Sequence, residues 1–185
     1  TTHDQVATSD DVNGAIPGLA ALAGNIGDPS VRHRGTIGGS VANNDPSACY
    51  PAACLALGAT IHTSAGDVAA DDFFQGMFET ALGEGQIVTG VSFPVPDASN
   101  YQKFVQPASH FAMVGVYVAK TGSDVRVAVT GASEGGVFRW SDGEAALSGG
   151  GDVPAAPSGD GMISEGNQSE FTRYAMVATS HISFD

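Results

Sequence analysis

Between residues 31 and 46 the chain reads Val31-Arg32-His33-Arg34-Gly35-Thr36-Ile37-Gly38-Gly39-Ser40-Val41-Ala42-Asn43-Asn44-Asp45-Pro46, joining its densest positive charge to a glycine-rich, hydroxyl-flanked turn. Such a stretch constrains the fold because it is suited to hold an anion. Gly38 and Gly39 can take positive φ and have no Cβ, so a negatively charged ligand can approach the peptide N–H groups directly. A helical turn beginning after Gly39 would add unpaired N–H groups and a favourable dipole. Thr36 and Ser40 supply hydroxyls. The competing reading is that the glycine pair serves only a tight turn or close packing. Arg32 and Arg34, for their part, can simply pair with some of the 20 acidic side chains.

Charge and length exclude several function classes. A formal net charge of −13 sets up a field that repels DNA, RNA and anionic membrane surfaces, so neither a nucleic acid nor a membrane is an expected partner. At 185 residues with 42% apolar content the chain can bury a core as one large domain or two small ones. Its apolar runs fall short of the roughly 18 to 20 residues that span a bilayer. Thr1-Thr2-His3-Asp4 carries neither a basic nor an apolar leader segment, and the expected location is cytoplasmic. Cys49 and Cys54, five residues apart with no further ligand nearby, are expected to be buried small hydrophobes. The five histidines show no metal-binding spacing, and no metal is expected.

Pattern and punctuation give a coarse layout. Residues 17–26 read as an amphipathic helix with Pro17 in its first turn and Gly27 at its end, and residues 48–57 as a second helix closed by Gly58. Residues 59–63 and 86–93 read as strands, with a helical turn at 71–74 between them. The turn-rich segment 94–100 is the candidate boundary between a domain at 1–96 and a second at 101–185. Beyond it, apolar runs at 101–105, 113–119, 125–130 and 137–140 predict a three- or four-stranded antiparallel sheet. A short helix at 142–147, a mobile loop at 148–161 and a final helix at 170–181 complete an α+β reading.

Several runs resemble, in order along the chain, the FAD-carrying medium subunit of molybdenum hydroxylases, the family of aerobic carbon monoxide dehydrogenase and xanthine dehydrogenase. Arg32-His33-Arg34-Gly35-Thr36-Ile37-Gly38-Gly39-Ser40 followed by Asp45-Pro46 is similar to that family's flavin-binding signature. Thr2-His3 with Ser9, Asp72-Phe73-Phe74-Gln75-Gly76, and Tyr101-Gln102-Lys103-Phe104 with Pro107-Ala108-Ser109-His110-Phe111-Ala112 resemble further family runs, as does Glu144-Ala145-Ala146-Leu147-Ser148-Gly149. Two departures stand out. The family's earlier lobe, with its "A-G-G-T/Q-D-L-L" pyrophosphate loop, has no counterpart in this sequence, and Cys49 stands where the family usually has Asp or Glu. A thiol poorly replaces a carboxylate that accepts hydrogen bonds from the flavin's hydroxyls.

The resemblance implies the second lobe of a two-lobe FAD-binding fold, followed by a small antiparallel sheet plus helix. It also implies FAD as cofactor, an iron–sulfur small subunit and a molybdenum large subunit as partners, and a role in electron transfer within an oxidoreductase, with no general base or nucleophile on this chain. The implied cofactor contacts are Thr36, Gly38, Gly39, Ser40, Asn43, Asp45, backbone near Val88, and the cation of Lys103. Each has a plainer alternative. Lys103 can be a solvated strand-edge lysine, Asp45 with Pro46 a simple turn starter, and Asn43 a helix cap. Without a first lobe the chain can also be a cofactor-free interaction module, self-associating through exposed apolar faces. A flavin-dependent carbohydrate or alcohol oxidase is the third reading, disfavoured by the trailing sheet.

Overall fold

The computed structural model describes residues 1–133, 135–154, 174–175 and 177–180. Short helices dominate the first third: α1 (His3–Thr8), α2 (Asp10–Ala15), α3 (Pro17–Gly24), α4 (Pro29–Arg34), α5 (Ile37–Asn43) and α6 (Tyr50–Leu57). Helices of six to eight residues are too short to persist alone, and local caps define their ends. The Thr2 side chain accepts from the Gln5 N–H while the Gln5 side chain accepts from the Thr2 N–H, a reciprocal cap on α1. Ser9, Asp28 and Thr36 cap α2, α4 and α5 through their side-chain oxygens. Pro17 and Pro29 open α3 and α4, where a missing N–H is harmless. All eight residues of α6 are buried, and Gly58 ends it in the left-handed conformation.

A small antiparallel sheet follows: β1 (Thr60–Thr63), β2 (Gly66–Ala69) and, after the turn α7 (Ala70–Phe73) and the short pair β3 (Phe74–Gly76) and β4 (Glu79–Thr80), β5 (Val88–Ser92). Its order is β2-β1-β5, with Ile61 opposite Val68 on one side and Val91 on the other. Those three side chains pack toward the helices, so the alternate residues face outward.

The larger sheet comprises β6 (Ala98–Val105), β7 (Ala112–Thr121), β8 (Asp124–Thr130) and β9 (Phe138–Arg139), in that spatial order and antiparallel throughout. Seven of the ten residues of β7 are buried because both faces are covered. Val114, Val116, Val118, Val125, Val127 and Val129 join Trp140, Leu147, Ala175 and Ala178 on one face. Tyr101, Tyr117, Ala119 and Ala128 pack on the opposite face against α3 and α6, in the same core as the small sheet. The helix α8 (Ser141–Ser148) lies on the valine face. Arg126 ties the sheet to α7 through both carboxylate oxygens of Asp71, at 2.6 and 2.7 Å.

The expected helices and strands occur with shifted ends, and β6 begins three residues before the expected 101. Residue 148 closes α8, while 155–161 of the expected loop lie outside the described residues. Residues 170–173, 176 and 181 of the expected last helix do so as well. The described Tyr174, Ala175 and residues 177–180 are helical, and the Asn100 side chain donates to the Ala178 carbonyl at 3.0 Å.

Two pins place the segment between α5 and α6. Asn44, at φ 45°, caps α5 in the left-handed region and donates its side-chain N–H groups to the carbonyls of Gly76 (2.7 Å) and Glu79 (2.8 Å). At the end of β8 the Thr130 hydroxyl lies 2.9 Å from the Pro46 carbonyl and 2.7 Å from that of Ala48, and the Gly131 N–H donates to Pro46.

Candidate functional site

The glycine turn differs from its sequence reading. Gly38 and Gly39 have helical rather than positive φ, because α5 starts at Ile37, before them rather than after. The Thr36 hydroxyl accepts from the Gly39 N–H at 3.0 Å, the Thr36 carbonyl from the Ser40 N–H, and the Thr1 carbonyl from the Ile37 N–H. Of these first-turn amides, only that of Gly38 has no partner among the described residues. The expected cradle of several N–H groups therefore narrows to one. A Cβ on Gly38 would meet nothing closer than Val88 Cγ1 at 3.9 Å, so internal packing does not demand a glycine there.

Two concavities flank α5. One, of about 400 Å³, is lined by Thr36, Gly38 and Gly39 together with Val88, Thr89 and Gly90 of β5. The other, of about 230 Å³, is lined by Ser40, Asn43, Asp45 and Lys103 with His3, Cys49 and Phe111 among its walls. Thr36, Gly38, Gly39 and Val88 thus share one hollow, and Ser40, Asn43, Asp45 and Lys103 the other.

Within the second hollow, Lys103 is neither a free cation nor a solvated edge lysine. Its ammonium donates to the carbonyl of Asn25 at 2.6 Å and to that of His110 at 3.0 Å, and lies 3.7 Å from Cys49 Sγ. It thereby joins the end of α3, the start of α6 and the loop after β6. That loop holds His110 at φ 62°, and the Gln106 side-chain oxygen accepts from the Ser109 N–H at 3.1 Å and from the Ala108 N–H. A non-glycine residue in this region persists only where neighbours over-determine it, as the Lys103 and Gln106 contacts do here. Asp45 performs its turn role, accepting from the Ser47 N–H at 2.8 Å, and lines the hollow as well. The helix cap is Asn44; Asn43 faces the hollow. Cys49 and Cys54 are free and buried, and burial pushes both thiols above their usual range.

Residues 1–96 match the family model described as the FAD binding domain in molybdopterin dehydrogenase. The chain belongs to that family. This FAD-binding-domain protein is 36% identical over 125 residues to the glyceraldehyde dehydrogenase medium chain of Sulfolobus acidocaldarius, covering 64% of this chain and 44% of that one. With the nicotine 6-hydroxylase medium subunit of Paenarthrobacter nicotinovorans the identity is 33% over 158 residues, covering 80% and 56%. Its fold matches the structure of carbon monoxide dehydrogenase from Hydrogenophaga pseudoflava which lacks the Mo-pyranopterin moiety of the molybdenum cofactor, with TM-score 0.80, 26% identity, and 97% of this chain and 71% of that chain covered. The chain spans about half the length of the curated relatives it matches.

For a flavin-binding domain, the residues present meet a physical requirement. His3 Nδ1 is buried, lacks a hydrogen-bond partner among the described residues, and belongs to a ring that lines the 230 Å³ hollow. Buried polar atoms are normally paired, so an orphan at a cavity wall fits a polar ligand. Gly38 adds an unengaged amide with no side chain in front of it. The sequence alone does not mark His3, His110 and Phe111 as site residues, although they lie in the runs Thr2-His3 and Pro107-Ala108-Ser109-His110-Phe111-Ala112. Their convergence depends on α1, α5 and the loop after β6 meeting in space. Among the described residues, no group of three or more His, Cys, Asp or Glu could hold a metal ion, and no helix is long and apolar enough to cross a membrane.

Proposed function

We propose that this chain holds FAD along α5 and serves as the electron-transfer flavin unit of a molybdenum-containing hydroxylase or dehydrogenase. The observation that carries the reading is that the eight residues expected to contact the cofactor all line one or other of two hollows beside a single seven-residue helix, with Asp45 also lining a third. A bound flavin supplies the chemistry by taking up electrons and releasing them to an acceptor. The chain's own residues bind and orient. The Gly38 amide and the Thr36 and Ser40 hydroxyls face the ligand's polar groups, and Asn43 and Asp45 supply further hydrogen-bonding positions. Lys103 fixes the wall of the second hollow. Its ammonium already has carbonyl partners, so its part is to position the His110–Phe111 turn rather than to neutralise a phosphate. On this reading residues 1–96 carry the glycine turn and residues 101–185 contribute Lys103 and the supporting sheet. An iron–sulfur subunit would deliver the electrons and a molybdenum subunit would act on the substrate.

The test is flavin stoichiometry. The purified chain is incubated with excess FAD, passed through gel filtration and read by its visible absorbance and fluorescence. Retention near one FAD per chain is the expected result. Colourless protein with native circular dichroism would overturn FAD binding by this chain alone.

A further inference from the structure

On the outer face of the small sheet, three side chains from three strands form a hydrogen-bonded line. His62 of β1 stands opposite Asp67 of β2, and its Nδ1 lies 2.7 Å from Asp67 Oδ1. Its Nε2 lies 2.7 Å from Oγ of Ser92, which comes from β5 on the other side. An ionised carboxylate can only accept, so in neutral His62 the proton sits on Nδ1 and the Nε2 lone pair receives the Ser92 hydroxyl. Serine, imidazole and carboxylate then stand in the tautomer and order that lets a histidine take the serine proton. A polar pair on a solvated sheet needs only one ring nitrogen; here both are engaged, and the second holds a nucleophile. Ser92 is exposed, and the flank beside the ring is Gly90, which has no side chain to obstruct it. None of the three residues lines either hollow beside α5, although Gly90, against the His62 ring, also lines the larger one.

We propose that Ser92 is a surface nucleophile that accepts acyl groups from activated acyl esters or thioesters, with His62 as its base and Asp67 holding the base in place. Ser92 Oγ attacks the acyl carbonyl carbon and the Oγ–C bond forms. The serine proton passes to His62 Nε2, and the bond from carbon to the leaving oxygen or sulfur breaks. The imidazolium then gives the proton to the departing group. The step exchanges one acyl bond for another and needs no oxidant or reductant.

General-base assistance is worth about 10²- to 10⁴-fold in enclosed sites. Asp67, with its side chain 64% exposed, is screened by water, so the gain falls below that range and Ser92 should react at least about tenfold faster than another exposed serine such as Ser109. The test treats the full chain with 4-nitrophenyl acetate and follows acetylation at each serine by peptide mass spectrometry, with circular dichroism confirming the fold of each variant. Wild type should acetylate first at Ser92. Ser92→Ala should lose that label, and His62→Gln should slow it to the rate of Ser109. Asp67→Asn, whose amide can donate to Nδ1 and so favour the opposite tautomer, should slow it as well. Acetylation of Ser92 no faster than Ser109, or an unchanged rate in both His62→Gln and Asp67→Asn, would overturn the proposal.

Discussion

Gly38→Ala separates two explanations for the glycine, because they assign opposite consequences to one methyl group. If Gly38 served internal packing, a Cβ would collide with its surroundings and the folded state would weaken. In this structure the nearest atom to such a Cβ is Val88 Cγ1 at 3.9 Å, an ordinary contact. Glycine within a helix is disfavoured relative to alanine by roughly 0.5–1 kcal/mol, and Gly38 sits in the first turn of α5, so the substitution should stabilise the chain by about 0.5 kcal/mol. The same methyl would sit on a residue lining the 400 Å³ hollow, and a loss of close approach worth about 1.4 kcal/mol would weaken FAD about tenfold. Urea unfolding, read as a shift in midpoint at constant slope, gives the first quantity, and flavin fluorescence titration gives the second. Gly39→Ala is the control. Its Cβ would approach Thr36 Oγ1 to 3.1 Å and disturb the cap, so stability should fall. A less stable Gly38→Ala chain would refute the claim that packing leaves room for a methyl group, and a stabilised chain with unchanged FAD affinity would remove Gly38 from the ligand's path.

Lys103→Met removes two charge-assisted hydrogen bonds at a part-exposed site, and about 1–2 kcal/mol of stability should go with them, with faster amide exchange confined to residues 106–111; uniform exchange would show that the lysine does not hold that turn. Burial keeps His3 below its ordinary value of 6.5, so the unfolded chain takes up its proton first. Stability should therefore be level above about pH 6.5, fall as the pH drops below it, and flatten once the folded-state value is passed. His3→Gln should reduce that slope in urea midpoints measured across the window, and an identical slope would assign the acid sensitivity elsewhere. Cys49→Asp places a carboxylate 3.7 Å or so from the Lys103 ammonium, where the pair can be mutually satisfied. Tighter FAD binding is expected, and unchanged affinity would mean that the thiol sits where no flavin hydroxyl reaches.

The parts of the fold legible in the sequence were those with a local cause. The run from Val114 to Ala119 reads as strand because it alternates valine with other residues at period two, and Gly58 marks a helix end because only a left-handed residue closes α6 there. The short helices α1, α2 and α4 carry too little periodicity over six residues to be read, and α5 is legible only as a turn starting after Gly39. Their signals lay in the caps Thr2, Ser9, Asp28 and Thr36, each separated by three residues from the amide it accepts. Reading Thr36 as a cap would have placed Gly38 and Gly39 inside the helix and removed the expectation of positive φ.

What no local reading reaches is the work done by register. Lys103 meets Asn25 across 78 positions of sequence, and Thr130 meets Pro46 across 84; each contact depends on which strand residue faces the helices. Slipping β6 by one residue would turn Lys103 to the opposite face of the sheet and release the His110 turn, while leaving the apolar composition of the strand nearly unchanged. The same dependence governs His62, Asp67 and Ser92. His62 and Ser92 read from sequence as ordinary polar strand positions and Asp67 as part of the connection between the expected strands, and only the pairing of His62 with Asp67 and of Thr60 with Ser92 brings them into one line. A bulge follows His62 in its pairing with β5, so the strand switches alignment immediately past the residue that carries the imidazole. Moving that bulge one position earlier would slide Ser92 away from Nε2 without altering a single side chain. The chemistry proposed for this face is therefore a property of strand alignment before it is a property of residue type.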